Sequence, residues 1–481
     1  MRSRQPGTIC AWSGADIRGR WTTFWLNSAT EADRMRVHVH VKGKLVAHLY
    51  RHADDYALRY IAGASADDFV SLTMPVREDA WVWPRDLHPF FRQNLPEGFL
   101  LQVIREEFGP YLDGTDLSLL AVIGGSGIGR VTVSSDGGAP GGELDPLDVQ
   151  HLLHEDITTA RFAELVRYYA RAAISGAVPK FLAPEVSPDR ARVGKQTLRT
   201  SRHIIKGSDE QTPYLGFNEH YSMQVLGRLG VARVAKTTMS DDGRVLVVDR
   251  FDVDEHGKPA LGVEDACSLL GLPPHEKYRP STEQVLNATK PYVGAAGWRR
   301  QAEQLGWLLL TNYVVRNADC HAKNIALLYS GIDDVVYAPA YDIVTTEAYP
   351  RFANNPPALS VDGRKTWAPG KTLERFFNTR LGIPPRQYRE MVDTLCDSAV
   401  DTGKDVVEAA KNDTRWHWIA KQMLHAWNEG MASLRSPKPQ VALRALTPVI
   451  EAAGFSDADK ADNGREVIGR SELLGERGKD A

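Results

Sequence analysis

The sequence lacks the features that would assign it to a membrane, secreted or disulfide-rich class. No apolar run approaches the roughly 20 residues that a membrane-spanning helix requires. The first 34 residues contain arginines and tryptophans but no apolar core of a signal peptide. The cysteines, at positions 10, 267, 320 and 396, lie far apart, without the spacing of a metal site or the density of a disulfide scaffold. We therefore expect a cytoplasmic protein with no membrane contact.

A strong charge of one sign is also absent. The chain has 481 residues, of which 43% are hydrophobic and 25% are charged, and its formal net charge is −3. This composition is that of a globular protein long enough for about two to four domains. The small net charge gives no general attraction to nucleic acid, so any contact with DNA is expected to depend mainly on a partner.

What the chain does contain is a polar loop in an informative position. Residues 317–324 lie between a helix-patterned run, 298–316, and two short β-branched runs, 325–329 and 335–338, after which Asp342 follows. In kinase-like folds, an aspartate and a nearby asparagine, then a hairpin and a second aspartate, bind a nucleotide and its metal. Loops are rich in both residue types, so the pair alone would indicate only a solvated turn. The complete layout predicts a phosphotransfer site.

The chemistry of phosphoryl transfer suggests a role for each side chain of this loop. Asp319 would orient an acceptor hydroxyl and accept its proton late in the reaction. Asn324 and Asp342 supply the hard oxygen ligands that suit Mg²⁺. Lys323 would reach the γ-phosphate as a point charge. We predict a structural or phosphate-contacting role for His321, because no second histidine is placed to share a metal with it.

Further motifs upstream complete a resemblance to a known family. In order along the chain, the segments are 174–180, 203–206, 218–219, 248–252 and 319–324. Together they resemble the marks of the HipA family of bacterial toxin kinases. The resemblance implies an α+β, bilobal protein-kinase-like fold with an extra N-terminal α/β domain and a mainly helical C-terminal lobe. ATP and Mg²⁺ are the cofactors that it implies.

The upstream motifs are expected to hold the nucleotide phosphates. Ile174, Ser175, Gly176 and Ala177 lie in a loop of mainly small residues, which would let its backbone amides approach the phosphates closely. Lys206, at the end of an alternating strand, would pair with the α- and β-phosphates. Glu219, expected to open a helix over 219–229, would hold this lysine forward.

The resemblance also implies an adenine contact and a modified serine. Asp249 would accept a hydrogen bond from the exocyclic amine of adenine, and the backbone at Phe251 would bond a ring nitrogen. This chain has the shorter aspartate where the family is expected to have glutamate. It also has Ala173 where many relatives carry a phosphorylated serine, so Ser175 becomes the predicted autophosphorylation site.

The chain divides into five expected segments: an N-terminal extension or mis-assigned start (1–34), a HipA-type N-terminal domain (35–145), an ATP-binding lobe (146–255), a helical catalytic lobe (256–455) and a charged tail expected to be disordered (456–481). Within the N-terminal domain, the glycine-rich stretch 124–129 follows a helical pattern and precedes a strand. This is the reverse of the order in a dinucleotide-binding loop, so we interpret it as a structural turn.

Apolar spacing predicts helices in the C-terminal lobe. The predicted runs are 267–270, 298–316, 373–377, 385–403 and 404–434.

The resulting hypothesis is a serine/threonine protein kinase that acts as the toxin of a toxin–antitoxin pair, causing growth arrest and persistence. The protein substrate, possible self-phosphorylation and a helix-turn-helix, HipB-like antitoxin that carries the toxin to operator DNA are implied by the resemblance alone. Two alternatives remain open. A kinase acting on a lipid or small molecule would be separated by a panel of acceptors. An inactive kinase-fold partner of a DNA-binding repressor would bind nucleotide without turnover.

Overall fold

The computed structural model describes residues 36–52, 54–96, 98–109, 112–135, 149–154, 158–174, 196–367, 370–435 and 444–455. The predicted extension, the charged tail and much of the predicted boundary near residue 145 lie outside these ranges. Within them, no helix combines the length and the apolar character that crossing a membrane requires.

The N-terminal part is an antiparallel sheet of five strands in the order β4-β3-β2-β1-β5. The alternation of valine with polar residues explains β1, because its residues Val37, Val39 and Val41 are buried in the core of this part. Among the described residues, three α-helices lie between β4 and β5 in the chain. The bounds are β1 Arg36–Val41, β2 Lys44–His52, β3 Asp55–Tyr60, β4 Trp81–Trp83, α1 Pro89–Arg92, α2 Gly98–Phe108, α3 Asp116–Ile123 and β5 Val131–Ser134.

The glycine-rich stretch is a turn, as predicted. α3 is followed by a single 3₁₀ turn, Gly124–Ser126, that leads into β5. This turn region also contacts residues 250–252, which overlap the segment predicted to bind adenine. The Gly129 amide donates to Asp252 Oδ2 at 2.7 Å, and the Arg250 guanidinium donates to the Gly127 carbonyl at 3.1 Å. The N-terminal part is therefore hydrogen-bonded to residues 250–252.

The second part is a four-stranded antiparallel sheet in the order β6-β7-β9-β8. Ile205, Val245 and Val247 of this sheet pack against Phe162 and Val166 of a neighbouring helix, and this apolar contact forms its core. The predicted strand that ends at Lys206 is confirmed, with one further residue, Gly207. The bounds are α4 Val149–His154, α5 Thr159–Ile174, β6 Gln196–Arg199, β7 His203–Gly207, α6 Leu215–Gly227, β8 Thr237–Met239 and β9 Val245–Asp249.

The helix that carries Glu219 differs from its predicted bounds. It covers Leu215–Gly227, so it begins one turn before the predicted start at residue 219 and ends two residues before the predicted end. Its first residue has no capping side chain nearby in sequence. Instead, the Leu215 amide donates to Ser208 Oγ at 2.9 Å, across the connection from β7. The cap is a tertiary contact, which local pattern does not reveal.

The third part contains seven α-helices and a three-stranded sheet in the order β10-β11-β12 among the described residues. The predicted helix before the polar loop and the predicted hairpin after it are both confirmed. The bounds are β10 Gly262–Asp265, α7 Ala266–Leu269, α8 Thr282–Val293, α9 Trp298–Val314, β11 Ala326–Tyr329, β12 Val335–Tyr337, α10 Gly370–Phe376, α11 Pro385–Asn412, α12 His417–Leu434 and α13 Thr447–Ala453.

The predicted break between residues 403 and 404 is wrong. α11 is 28 residues long and passes through Gly403 without a break. The chain leaves the helix at Asp413, whose carboxylate accepts a hydrogen bond from the Arg415 amide. Position 403 requires a glycine because its surroundings are crowded: a Cβ there would lie 2.5 Å from Leu446 Cδ2 and 3.1 Å from Leu424 Cδ2. The glycine permits close packing within the helix and does not end it.

The whole is α+β and bilobal, with the strand-rich part that carries Lys206 facing a mainly helical part. The large core of the helical part includes Leu310, Tyr313, Met423 and Trp427. The fold class predicted from the sequence is confirmed.

Candidate active site

The polar loop is positioned by the end of α9. This helix is buried along most of its length, and the chain turns sharply after it at Arg316, whose φ is 55°. Asn317 then organises the loop. Its Oδ1 accepts from the Asp319 amide at 3.0 Å, and its Nδ2 donates to the Asp342 carbonyl at 3.2 Å. One buried asparagine thus fixes both predicted aspartates.

Asp342 lies at the centre of the site. Its backbone has φ 57°, a left-handed conformation that aspartate tolerates better than most residues. Oδ1 of its carboxylate accepts from Lys206 Nζ at 2.6 Å, and Oδ2 accepts from the Asn324 side-chain amide. The predicted lysine, asparagine and second aspartate therefore meet at one carboxylate.

Lys206 connects the two lobes electrostatically. Its Nζ lies 2.6 Å from Glu219 Oε1 as well as 2.6 Å from Asp342 Oδ1. Only 2% of the Glu219 side chain is exposed, against 15% for Lys206 and 22% for Asp342. Two carboxylates around one ammonium leave an excess negative charge in a mostly buried place. Such an excess favours a further cation.

A second set of hydrogen bonds holds α6 against the chain that follows Asp342. Asn218 Nδ2 donates to the Thr345 carbonyl at 3.0 Å, and its Oδ1 accepts from the Thr345 amide at 2.8 Å. Trp427 Nε1 donates to Thr345 Oγ1 at 2.6 Å. Glu219 and Asp342 are thus positioned by neighbouring residues of one buried network. The sequence motif 218–219 included Asn218 without a role for it, and nothing local indicated Thr345 or Trp427.

Asp319 has a close partner that the sequence did not indicate. Tyr278 Oη donates to Asp319 Oδ1 at 2.5 Å. The buried His321 ring meets the Tyr278 ring edge-on, with the centroids 5.0 Å apart. The structure therefore places Asp319 and His321 together with a tyrosine.

Negative charge and burial also affect the neighbours of the aspartates. Burial, then the charges of Asp342 and Asp319, raise the pKa of the Cys320 thiol to about 12. This thiol stays protonated at neutral pH and is a poor nucleophile. Burial likewise raises the pKa of Tyr341 well above its ordinary value, and its hydroxyl donates to the Lys323 carbonyl at 2.7 Å. Lys323 is half-buried beside the site, on the same loop.

The predicted adenine-binding residues lie at the end of β9, which pairs with the strand of Lys206. The Asp249 side chain is 52% exposed, and its Oδ1 lies 3.7 Å from His203 Nε2. The Phe251 ring packs against Tyr341, with the centroids 5.8 Å apart, and also contacts the core. Phe251 thus touches the residue that follows the hairpin and precedes Asp342.

The predicted phosphate loop is described only at its first residue. Ile174, which the sequence placed in a loop, is the last residue of α5. The preceding alanines favour helix, so the helix continues to this point. Ser175, Gly176 and Ala177 lie outside the described residues.

The residues present fit a magnesium ion by the chemistry of their donors. Asn324 Oδ1 accepts from the His321 amide at 3.3 Å, and a rotation of its side-chain amide would exchange its oxygen and nitrogen. In the parts of the chain that the structure describes, no group of three histidine, cysteine, aspartate or glutamate side chains forms a metal site. An ion held by Asn324 and Asp342 would need phosphate and water oxygens as well, which suits Mg²⁺.

Two family models match the chain. The family described as HipA-like C-terminal domain matches residues 172–403, and the family described as HipA N-terminal domain matches residues 37–134. The chain belongs to the HipA family. The C-terminal match includes Lys206, Glu219, Asp319, Asn324 and Asp342, so the cluster lies within the region that the family shares.

Individual relatives show the same similarity. The chain is 28% identical over 363 residues to a Sinorhizobium fredii protein named "Putative kinase Y4mE", covering 70% of this chain and 83% of that protein. A Haemophilus influenzae protein named "Putative kinase" is 26% identical over 197 residues, or 37% of this chain and 55% of that protein. HipA from Shewanella oneidensis MR-1, solved with HipB and operator DNA, has a TM-score of 0.58 at 20% identity. The match covers 84% of this chain and all of that one. This last similarity supports the fold.

Proposed function

We propose that the chain is an ATP- and Mg²⁺-dependent serine/threonine protein kinase and the toxin of a HipBA-like toxin–antitoxin pair. The observation that carries the proposal is the shared carboxylate of Asp342. Lys206 binds one of its oxygens and Asn324 the other, while Glu219 holds the lysine from behind. A lysine held by a glutamate, next to an aspartate and an asparagine, is what a kinase requires to bind a metal-bound triphosphate.

In the proposed reaction, the oxygen of a serine or threonine hydroxyl forms a bond to the γ-phosphorus. The bond from that phosphorus to the bridging oxygen breaks, ADP leaves and the hydroxyl proton passes to Asp319. Glu219, being buried, keeps Lys206 in place while the lysine exchanges Asp342 for phosphate oxygens. Mg²⁺, held by Asn324 and Asp342, would neutralise phosphate charge. Lys323 would contact the γ-phosphate, and the His321 amide and ring would support the loop.

We also propose roles for the residues expected to bind the rest of the nucleotide. Residues 174–177 would cover the phosphates, while Asp249 and the backbone of Phe251 would bind adenine. The exposed Asp249 carboxylate, at the end of a strand that pairs with that of Lys206, supports this placement. Ser175 would be the site of self-phosphorylation. A phosphopeptide map of the purified protein after incubation with ATP tests the last point, and unmodified Ser175 at full incorporation would contradict it.

A helix-turn-helix antitoxin is the proposed partner. The solved HipA of similar fold is bound to HipB and operator DNA, and the net charge of −3 here gives no independent drive toward DNA. We therefore propose that the antitoxin supplies the DNA contacts. The purified chain alone should leave operator DNA unshifted in an electrophoretic assay. With the antitoxin present, the chain should produce a complex that migrates more slowly than antitoxin and DNA alone.

The experiment that tests the kinase assignment is incubation with γ-labelled ATP and a lysate of the host. The wild-type chain should label a protein target, and the Asp319→Ala variant should not, although it still binds ATP. Equal labelling by both proteins would contradict the role of Asp319. Label that enters a lipid or small molecule would identify the other kinase class. Nucleotide binding without any transfer would indicate an inactive partner of a repressor.

A further inference from the structure

Tyr278 makes a contact that a substrate hydroxyl would be expected to make. Its hydroxyl donates to Asp319 Oδ1 at 2.5 Å, as an acceptor serine would donate before transfer. We infer that Tyr278 occupies the place of the acceptor hydroxyl when no acceptor is bound, and that a protein acceptor must displace it. The inference rests on the proposed function, because it assigns a specificity role to a residue beside the proposed base.

The backbone around Tyr278 is held on both sides, so the displacement must come from the side chain. Lys365 Nζ donates to the Tyr278 carbonyl at 3.2 Å, and the Ala322 amide donates to the Lys277 carbonyl at 3.1 Å. The second bond fixes the segment to the loop that carries Asp319. The Tyr278 ring itself is only half-buried, so it can rotate towards solvent without breaking either bond.

The displacement has a chemical consequence for which acceptors react. A hydrogen bond from a hydroxyl to a charged carboxylate is among the stronger ones in proteins, so an acceptor must replace it with one of its own. A serine or threonine held by other protein–protein contacts can do so. A water molecule has no such contacts to hold it there. Tyr278 thereby disfavours the transfer of phosphate to water and favours a hydroxyl presented on a bound polypeptide.

The Tyr278→Phe variant tests this directly. It removes a single oxygen and leaves a space of about one water next to Asp319. We expect the rate of ATP hydrolysis without any protein acceptor to rise about tenfold, equivalent to about 1.4 kcal/mol, while the KM for ATP is unchanged. Tyr388→Phe is the matched control, because Tyr388 also donates one hydrogen bond, to the Gly370 carbonyl at 3.1 Å, within the helical core. Its hydrolysis rate should equal that of the wild type.

Dephosphorylated casein serves as a serine-rich acceptor for the second measurement. In the Tyr278→Phe variant, the KM for casein should fall and the KM for ATP should be unchanged. If the tyrosine had only a structural role, its removal would lower kcat instead. Tyr278→Leu provides an independent variant, and its hydrolysis rate should also rise. Hydrolysis at or below the wild-type rate in both variants, with ATP binding intact, overturns the inference. If the wild-type chain neither hydrolyses ATP nor labels any protein, the proposed function itself fails.

Discussion

Replacing Glu264 by glutamine should change how the stability of this protein depends on pH. Glu264 is fully buried in β10 and accepts from Ser71 Oγ at 2.7 Å and from the Leu72 amide at 3.0 Å, both in the N-terminal part. Burial, reinforced by the charge of Asp265, raises the pKa of this carboxyl from 4.5 to about 7. The folded chain therefore keeps a proton that the unfolded chain has already lost.

The sign and size of the effect follow from that difference. Because the folded state binds the extra proton, the free energy of unfolding falls as the pH rises from about 4.5 through about 7. The loss over this window is about 3 kcal/mol. A glutamine does not titrate, so the Glu264→Gln variant should lack this loss. His88 acts in the opposite direction in both proteins, since burial lowers its pKa to about 3 and its stability contribution is lost as the pH falls below 6.5.

The assay is urea unfolding of the wild type and the variant at several values between pH 5 and pH 8. Comparing the two proteins cancels the contribution of His88. We expect the wild type to lose about 2 to 3 kcal/mol relative to the variant across this range. Glu451→Gln, at an exposed position, is the control and should leave the wild-type slope unchanged. If the free energy of unfolding depended on pH in the same way for the wild type and Glu264→Gln, the reasoning that Glu264 is a buried, protonated carboxyl would be refuted.

Other substitutions give independent tests. Lys206→Met leaves the buried Glu219 carboxylate without its cation and should cost about 3 to 5 kcal/mol in urea unfolding. Adding Glu219→Leu should recover most of that stability without restoring phosphotransfer; no recovery would contradict the ion-pair account. Gly430→Ala would drive a Cβ into the Val314 carbonyl at the end of α9, and we expect a loss of about 1 to 3 kcal/mol and weaker phosphotransfer. Gly331→Ala, where a Cβ meets nothing within 4 Å, should match the wild type in both.

The local sequence pattern was sufficient to predict the elements at the centre of the site. The helix α9, the polar loop, the hairpin and Asp342 are contiguous, and each is specified by residues near it in the chain. The apolar spacing of α9 and the β-branched runs after Asn324 predicted these elements within two residues of their observed bounds. The same layout predicted that Asp342 would return to Asn324, and the hydrogen bond between them shows that it does.

The structural features that the sequence did not predict depend on contacts between residues that are not neighbours in the chain. Tyr278 reaches Asp319 across 41 residues, and no periodicity or motif connects the two. The start of α6 is capped by Ser208, in the connection from β7, and the space beside Gly403 of α11 is filled by Leu446. In each case the deciding partner is supplied by the tertiary fold, so a single sequence offers no signal for it.

The central claim is that Asp342 and Asn324 hold a magnesium-bound nucleotide that Lys206 also contacts. Its most direct test is equilibrium titration of a fluorescent ATP analogue with and without Mg²⁺, comparing the wild type with Asp342→Asn and Asn324→Ala. We predict that Mg²⁺ strengthens binding to the wild type by about tenfold or more and has little effect on either variant. Equal strengthening by Mg²⁺ in all three proteins would contradict the claim.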